Sequence, residues 1–200
     1  MIREVIVPII RNLRVNGKEY RISIIGVKCT PLNLRDVEEI LHRKALIEEG
    51  GKVEVVLLNA DMILGKEHLM PAIYMALRRH LRGKGLAKKL SVEVVLYAAC
   101  TKEIVKAHKI LGIREGVSSL VVVIIGEVSD PLSMIKSLLG DKFKLTDDGV
   151  LDLSEDKIRR IRKAFNISDK EVKSLQEESL YLSLVKSIIS RMALLNLIKP

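Results

Sequence analysis

Residues 92–113, VEVVLYAACTKEIVKAHKILGI, carry two hydrophobic patterns in succession, and the fold depends on how they are read. Val92 to Ala99 is a short, nearly unbroken apolar run, the pattern of a strand covered on both faces. A helix is expected next. Thr101 is placed to cap it by accepting from a free N–H of the first turn. Ile104, Val105, His108 and Leu111 then recur at helical spacing as one apolar stripe that Gly112 closes.

Working outward, Ser119 to Gly126 contains VVVII and reads as a β-branched strand, and Val53 to Ala60 as another buried one. Between them a helix is expected from about Lys66 to Leu81, with Leu69, Ile73, Ala76 and Leu77 inward and Pro71 tolerated close to the first turn. Upstream, Asn33 can cap a helix to about Glu49 that buries Leu34, Val37, Ile40, Leu41 and Ala45 and stops at Gly50-Gly51. Val5 to Val15 and Glu19 to Cys29 read as a hairpin turned at Asn16-Gly17, a dipeptide that accepts positive φ. Strands alternating with helices define an α/β fold, a mixed sheet of about five strands packed by helices.

Beyond Asp130-Pro131 the strand signals stop and a helical layer is expected. Its segments are Leu132 to Leu139, Ser154 to Phe165, Ser168 onward with Glu171 completing a capping box, and about Leu180 to Ile198. The last is apolar on most sides and must be buried by something. The expectation is a single domain, with the sheet in about residues 1–128 and the helical tail in about 130–200.

The chain has 200 residues, 48% of them hydrophobic and 30% charged, which suits a water-soluble globular protein. Its apolar runs are shorter than a membrane span, and MIREVIVPII has no small-residue cleavage site, so a mature cytoplasmic protein without a membrane partner is expected. Neither Cys29 nor Cys100 has a neighbour at metal-ligand spacing. No disulfide framework, zinc site or cofactor is therefore expected. Thirty-four Lys+Arg against 25 Asp+Glu leave a net charge of +9, which favours a polyanionic partner where the excess is clustered. Only one glutamine, Gln176, among abundant Lys, Glu, Arg and Ile is the balance of heat-adapted chains.

The cluster lies at RRHLRGKGLAKK, residues 78–89, where six basic residues stand without an acid. Such a run meets phosphates without reading sequence; its bland counterpart is a solvated helix end complementing the helix dipole. Cys100 at a helix head is where an enzyme would hold a thiolate, but TKEIVK after it supplies neither glycine nor arginine for an anion loop, and it reads as a packing residue. His108 also reads as packing, while His68, in GKEHL, keeps an enzymatic alternative open along with Cys100. No nucleotide-binding glycine fingerprint is present. Residues Ser154 to Ser174 outline a helix-turn-helix, the basis of an alternative reading as a stand-alone nucleic-acid-binding protein.

Three stretches together resemble the small kinase-binding regulatory subunit of the KEOPS complex, archaeal type, the family that includes the PRPK-binding protein. They are Asn59 to Ala76, NADMILGKEHLMPAIYMA; Leu86 to Ile113, with Glu93, Leu96, Tyr97, Ile104, Ala107, Gly112 and Ile113 in the family's places; and the tail, Ile167 to Glu171 followed by Arg191 to Leu195. Archaeal members often show glycine and then Ser-Arg-Gln-Ile at the helix start, where this chain has Cys100, Thr101, Lys102, Glu103 and Ile104.

The resemblance implies a non-catalytic subunit. It would bind and activate the complex's atypical kinase, meet the remaining KEOPS subunits indirectly, and help recruit tRNA by its 3′ CCA end for threonylcarbamoyladenosine synthesis. On that reading Arg78, Arg79, Arg82, Lys84, Lys88, Lys89 and Lys102 contact phosphates, with Thr101 at the helix start and Lys66 and His68 as companions. The kinase contact is expected on Leu184, Ile188, Met192 and Leu195.

Overall fold

Asn16 and Gly17 both take left-handed backbone, φ 51° and 81°, and turn strand β1 (Ile9–Val15) into β2 (Lys18–Cys29) with Val15 opposite Lys18. The hairpin thus forms at the dipeptide suited to it. The computed structural model describes residues 9–197, so the expected strand residues Val5 to Pro8 and the expected helix end at Ile198 lie outside the described residues. After β2 come α1 (Leu34–Glu49), β3 (Val53–Asn59), α2 (Lys66–His80), α3 (Leu90–Ala98), α4 (Ile104–Leu111) and β4 (Ser119–Gly126). Then follow α5 (Pro131–Leu139), β5 (Phe143–Thr146), α6 (Glu155–Phe165), α7 (Asp169–Ser174) and α8 (Leu180–Leu194).

These elements group into two compact units, each drawn from two separated stretches of chain. One ends its first stretch at Ala60 and resumes from Ile113 to Leu151; the other takes Asp61 to Gly112 and the chain from Asp152 onward. The grouping therefore runs across the boundary expected near residue 129.

The first unit is the sheet, ordered β1-β2-β4-β3, with β5 sharing the β1 edge of β2. Every strand pair among the described residues is antiparallel, which corrects the expectation of a sheet mixed in direction. The reason is topological: α1 does connect two parallel strands, β2 and β3, but β4 slots between them. β5 is a strand in the region expected to be only helical, four residues too short to show a period. Leu120, Val122 and Ile124 of β4 pack with Ile25, Val27, Val55 and Leu57 beneath Val37 and Ile40 of α1 and Ile135, Leu138 and Leu139 of α5. Leu34 and Leu41 were expected inside but are exposed on α1. At the open edge of β3, the Val55 N–H is met by the Glu48 carboxylate at 3.0 Å, a side chain doing the work of a missing strand. Gly26 is required where Asp147 crosses β2: a Cβ there would lie 2.3 Å from the Asp147 carbonyl oxygen.

The second unit is helical. Residues 92–98, expected as a strand, belong to helix α3, in which every residue except Val92 is buried. A helix covered all round shows no amphipathic period, so its β-branched run imitates a buried strand. α3 packs on α2 and α4, and α2 packs on α8. His68 of α2 ties the first pair together: its Nε2–H donates to the Ala98 carbonyl (2.8 Å) and its Nδ1 accepts from the Leu64 N–H (3.3 Å). This pattern fixes the neutral tautomer, and the edge of Phe165 packs against the ring with centroids 5.8 Å apart. Because the start of α2 meets the end of α3, the two helices run antiparallel.

The end of α3 also accounts for Cys100. Its φ is 53°, its N–H reaches the Tyr97 carbonyl (3.0 Å), and the Thr101 N–H reaches that of Leu96 (3.1 Å). That is the left-handed helix stop where glycine is usual, so the glycine of the resemblance belongs to a C-terminal cap. The cysteine holds it with its thiol 3.4 Å from the Ile188 carbonyl. Thr101 does not cap α4 itself; its hydroxyl accepts from the Glu103 N–H and α4 begins after Glu103. Likewise Ser168 caps α7, but Glu171 turns to Ser187 and Arg191 of α8 and does not complete a capping box.

Burial lowers the His68 pKa from 6.5 to about 4. Between those values the unfolded chain holds the proton that the folded one refuses, so stability is complete above pH 6.5 and falls toward pH 4. The loss from this group is about 3 kcal/mol. Denaturant unfolding of wild type and His68→Asn across this range should show the slope shallower in the variant; equal slopes would mean His68 is not the buried neutral group described.

Candidate functional site

Helix α2 ends in basic residues, and the connector to α3, residues 81–89, is built on two inward-facing side chains. Arg79 is one. Its guanidinium Nε donates to the Lys84 carbonyl and its Nη1 to the Leu195 carbonyl (3.3 Å), so it closes the connector and the end of α8 at once. The second is Glu93 of α3, fully buried, whose Oε2 accepts from the Ala87 N–H (3.4 Å) and lies 3.6 Å from His80 Nδ1. Backbone bonds from Arg82 and Lys84 to the Arg79 carbonyl and from Gly83 to that of His80 complete the turn.

Arg78, Arg82, Lys84, Lys88 and Lys89 remain exposed. Among the described residues none of Arg78, Arg82, Lys84 and Lys88 is engaged in an ion pair. Five exposed cations in a twelve-residue run that itself contains no Asp or Glu form a field that attracts phosphates. Arg79, expected as a sixth contact, is only 9% exposed and serves the fold. Its position could have revealed this: residues 68, 72, 76 and 79 share one face of α2, and all are buried.

The other expected contacts lie elsewhere. Lys66 is exposed at the start of α2, beside Glu67 (3.9 Å), and Glu67 in turn accepts from the Tyr181 hydroxyl (2.7 Å). α2 rises about 20 Å over its length, so Lys66 sits at the far end of the α2–α3 pair from the connector. Lys102, half-buried four residues past the end of α3, is at that far end too. Thr101 is buried with its hydroxyl engaged, and His68 is fully buried; neither is available for direct contact. The structure therefore divides the expected set into a basic connector and a sparser pair at the opposite end.

Leu184, Ile188 and Met192 have no exposed surface and Leu195 has 5%, which corrects their expected role as a partner surface. Their spacing is the inward stripe of α8, packed against α2. The apolar groups this unit leaves in water are others, among them Ile104, Val105, Leu182 and Leu194. His108 was expected inside and faces out, while Ala107 and Leu111 carry the buried side of α4.

Burial pushes the Cys100 thiol up to about 12, which leaves no thiolate at neutral pH. α7 is six residues long, about 9 Å, and its start is pinned to α6 by the Arg162–Asp169 ion pair (2.5 Å). That is too short for a groove-reading helix. Among the described residues no three His, Cys, Asp or Glu gather as metal ligands, and no helix is long and apolar enough to cross a membrane.

The family model described as kinase binding protein CGI-121 matches residues 33–196. The chain is similar to the regulatory protein Cgi121 of Methanocaldococcus jannaschii, 34% identical over 111 residues that make up 56% of this chain and 69% of that protein. It is also similar to the EKC/KEOPS complex subunit cgi121 of Aspergillus fumigatus, 22% identical over 155 residues, or 74% of this chain and 81% of that protein. With a match that runs from the N-terminal cap of α1 to the residues just past α8, the chain belongs to the kinase-binding protein CGI-121 family.

Proposed function

We propose that this protein is a non-catalytic accessory subunit of a KEOPS assembly. It binds and activates the assembly's atypical kinase and helps recruit tRNA by its 3′ CCA end for threonylcarbamoyladenosine synthesis. The kinase part is supported by the family, whose description is kinase binding, and by relatives named as a regulatory protein and a KEOPS subunit. The tRNA part is carried by one observation, the exposed cations of residues 78–89 with no surface acid among them. Phosphates are the partner such a surface fits, and single-stranded ends add base stacking or edge contacts to the charge.

With α8 turned inward, the kinase would rest on apolar side chains that the helices leave in water. Val105, 83% exposed beside Ile104 on α4, is the clearest of these. Such a surface supplies the apolar centre that a stable interface needs.

Two measurements separate the parts. Co-purification with the cognate kinase should be lost in Val105→Glu while the variant folds and binds tRNA as wild type does; undiminished kinase binding would move the contact away from α4. Gel-shift titrations with tRNA, intact and lacking its CCA end, should show weaker binding to the trimmed form. The Arg82→Ala/Lys84→Ala variant should lose about 1.4 from the slope of log affinity against log salt, about 0.7 for each single-stranded phosphate contact. Equal affinity for the two tRNAs refutes end recognition, and an unchanged slope refutes the connector as the phosphate surface.

A further inference from the structure

We infer that Glu93 is a positioning residue for the basic connector: it never touches RNA, but it sets where the connector's cations stand. The inference rests on the reading of residues 81–89 as a phosphate surface. Glu93 has no exposed surface, and its buried Oε1 has no hydrogen-bond partner among the described residues. A buried, half-satisfied carboxylate destabilises a helix in which seven of nine residues are apolar. What Glu93 does hold is the connector. Oε2 takes the Ala87 N–H at 3.4 Å, and Gly85 passes so close that a Cβ on it would lie 2.5 Å from that oxygen.

Arg79 fixes the connector three residues earlier, at the Lys84 carbonyl. Lys84 and Lys88 therefore follow backbone pinned from beneath on either side of Gly85. The carboxylate also places a negative charge under several positive ones, which relieves their mutual repulsion without reaching the surface where phosphate would meet it. A residue kept only for packing needs no charge there, and leucine would fill the space.

The experiment turns on a sign. Glu93→Leu removes the acceptor of the Ala87 N–H together with a negative charge beneath a polyanion-binding surface, so charge alone makes tRNA bind more tightly. Loss of positioning makes it bind more weakly, by about fivefold, with the salt slope reduced by about one contact. Gly85→Ala disturbs the same contact without altering charge and should weaken binding in the same direction; it carries the test should Glu93→Leu fail to fold. In both variants, amide exchange at Ala87 should accelerate while α8 keeps its protection. Binding by folded Glu93→Leu or by Gly85→Ala that equals or exceeds wild type overturns the inference. If Arg82→Ala/Lys84→Ala binds as wild type does, the phosphate-surface reading itself fails and the inference falls with it. If that variant weakens binding and Glu93→Leu does not, only the positioning role is lost.

Discussion

The pairing of α2 with α3 governs the helical unit, and His68 is the interaction that sets it. A neutral imidazole bridges the Leu64 N–H and the Ala98 carbonyl, so the first turn of α2 is held to the last residue of α3. That forces the two helices antiparallel and sends the nine residues between them out as a connector at the opposite end. The ring is fully buried, and a proton on Nδ1 would face the N–H it now accepts from, so protonation and this geometry exclude each other. Everything that the surface of residues 78–89 presents follows from where that pairing puts it.

The same arrangement explains which parts of the fold were legible in the sequence. Asn16-Gly17, the Asn33 and Ser154 caps, and β4 carry local signals that tertiary packing does not override. α3 carries none. Its burial on every side erases the helical period, and seven apolar residues in nine look the same to a periodicity argument whether they form a strand or a helix. Strand direction was equally hidden, because a crossover helix between parallel strands says nothing about a third strand entering between them.

For the candidate site, the basic run could be read as a cluster but not resolved into its members. Arg78 and Arg79 are neighbours in sequence and on different sides of α2, one in water and one capping two carbonyls. The α8 residues Leu184, Ile188 and Met192 were legible as an apolar stripe, yet a stripe facing the chain's own core and one facing a partner have the same spacing. Glu93 stood out in the sequence only as a position shared with the family; its role could not be read there, since an acid in an apolar run gains its meaning only from the loop it meets. Cys100 is the converse case. The resemblance expects glycine there, and its φ of 53° shows why: the helix must stop in a left-handed turn.

The proposed division of labour gives the connector to phosphate and the exposed apolar side chains of α4 to a protein partner, with α8 as interior support. Amide hydrogen exchange of the whole chain, with and without saturating tRNA, tests it most directly. The account expects slowed exchange in residues 81–89, with α8 unchanged because it is already buried. Slowing confined to residues 155–174, with 81–89 unaffected, would contradict it.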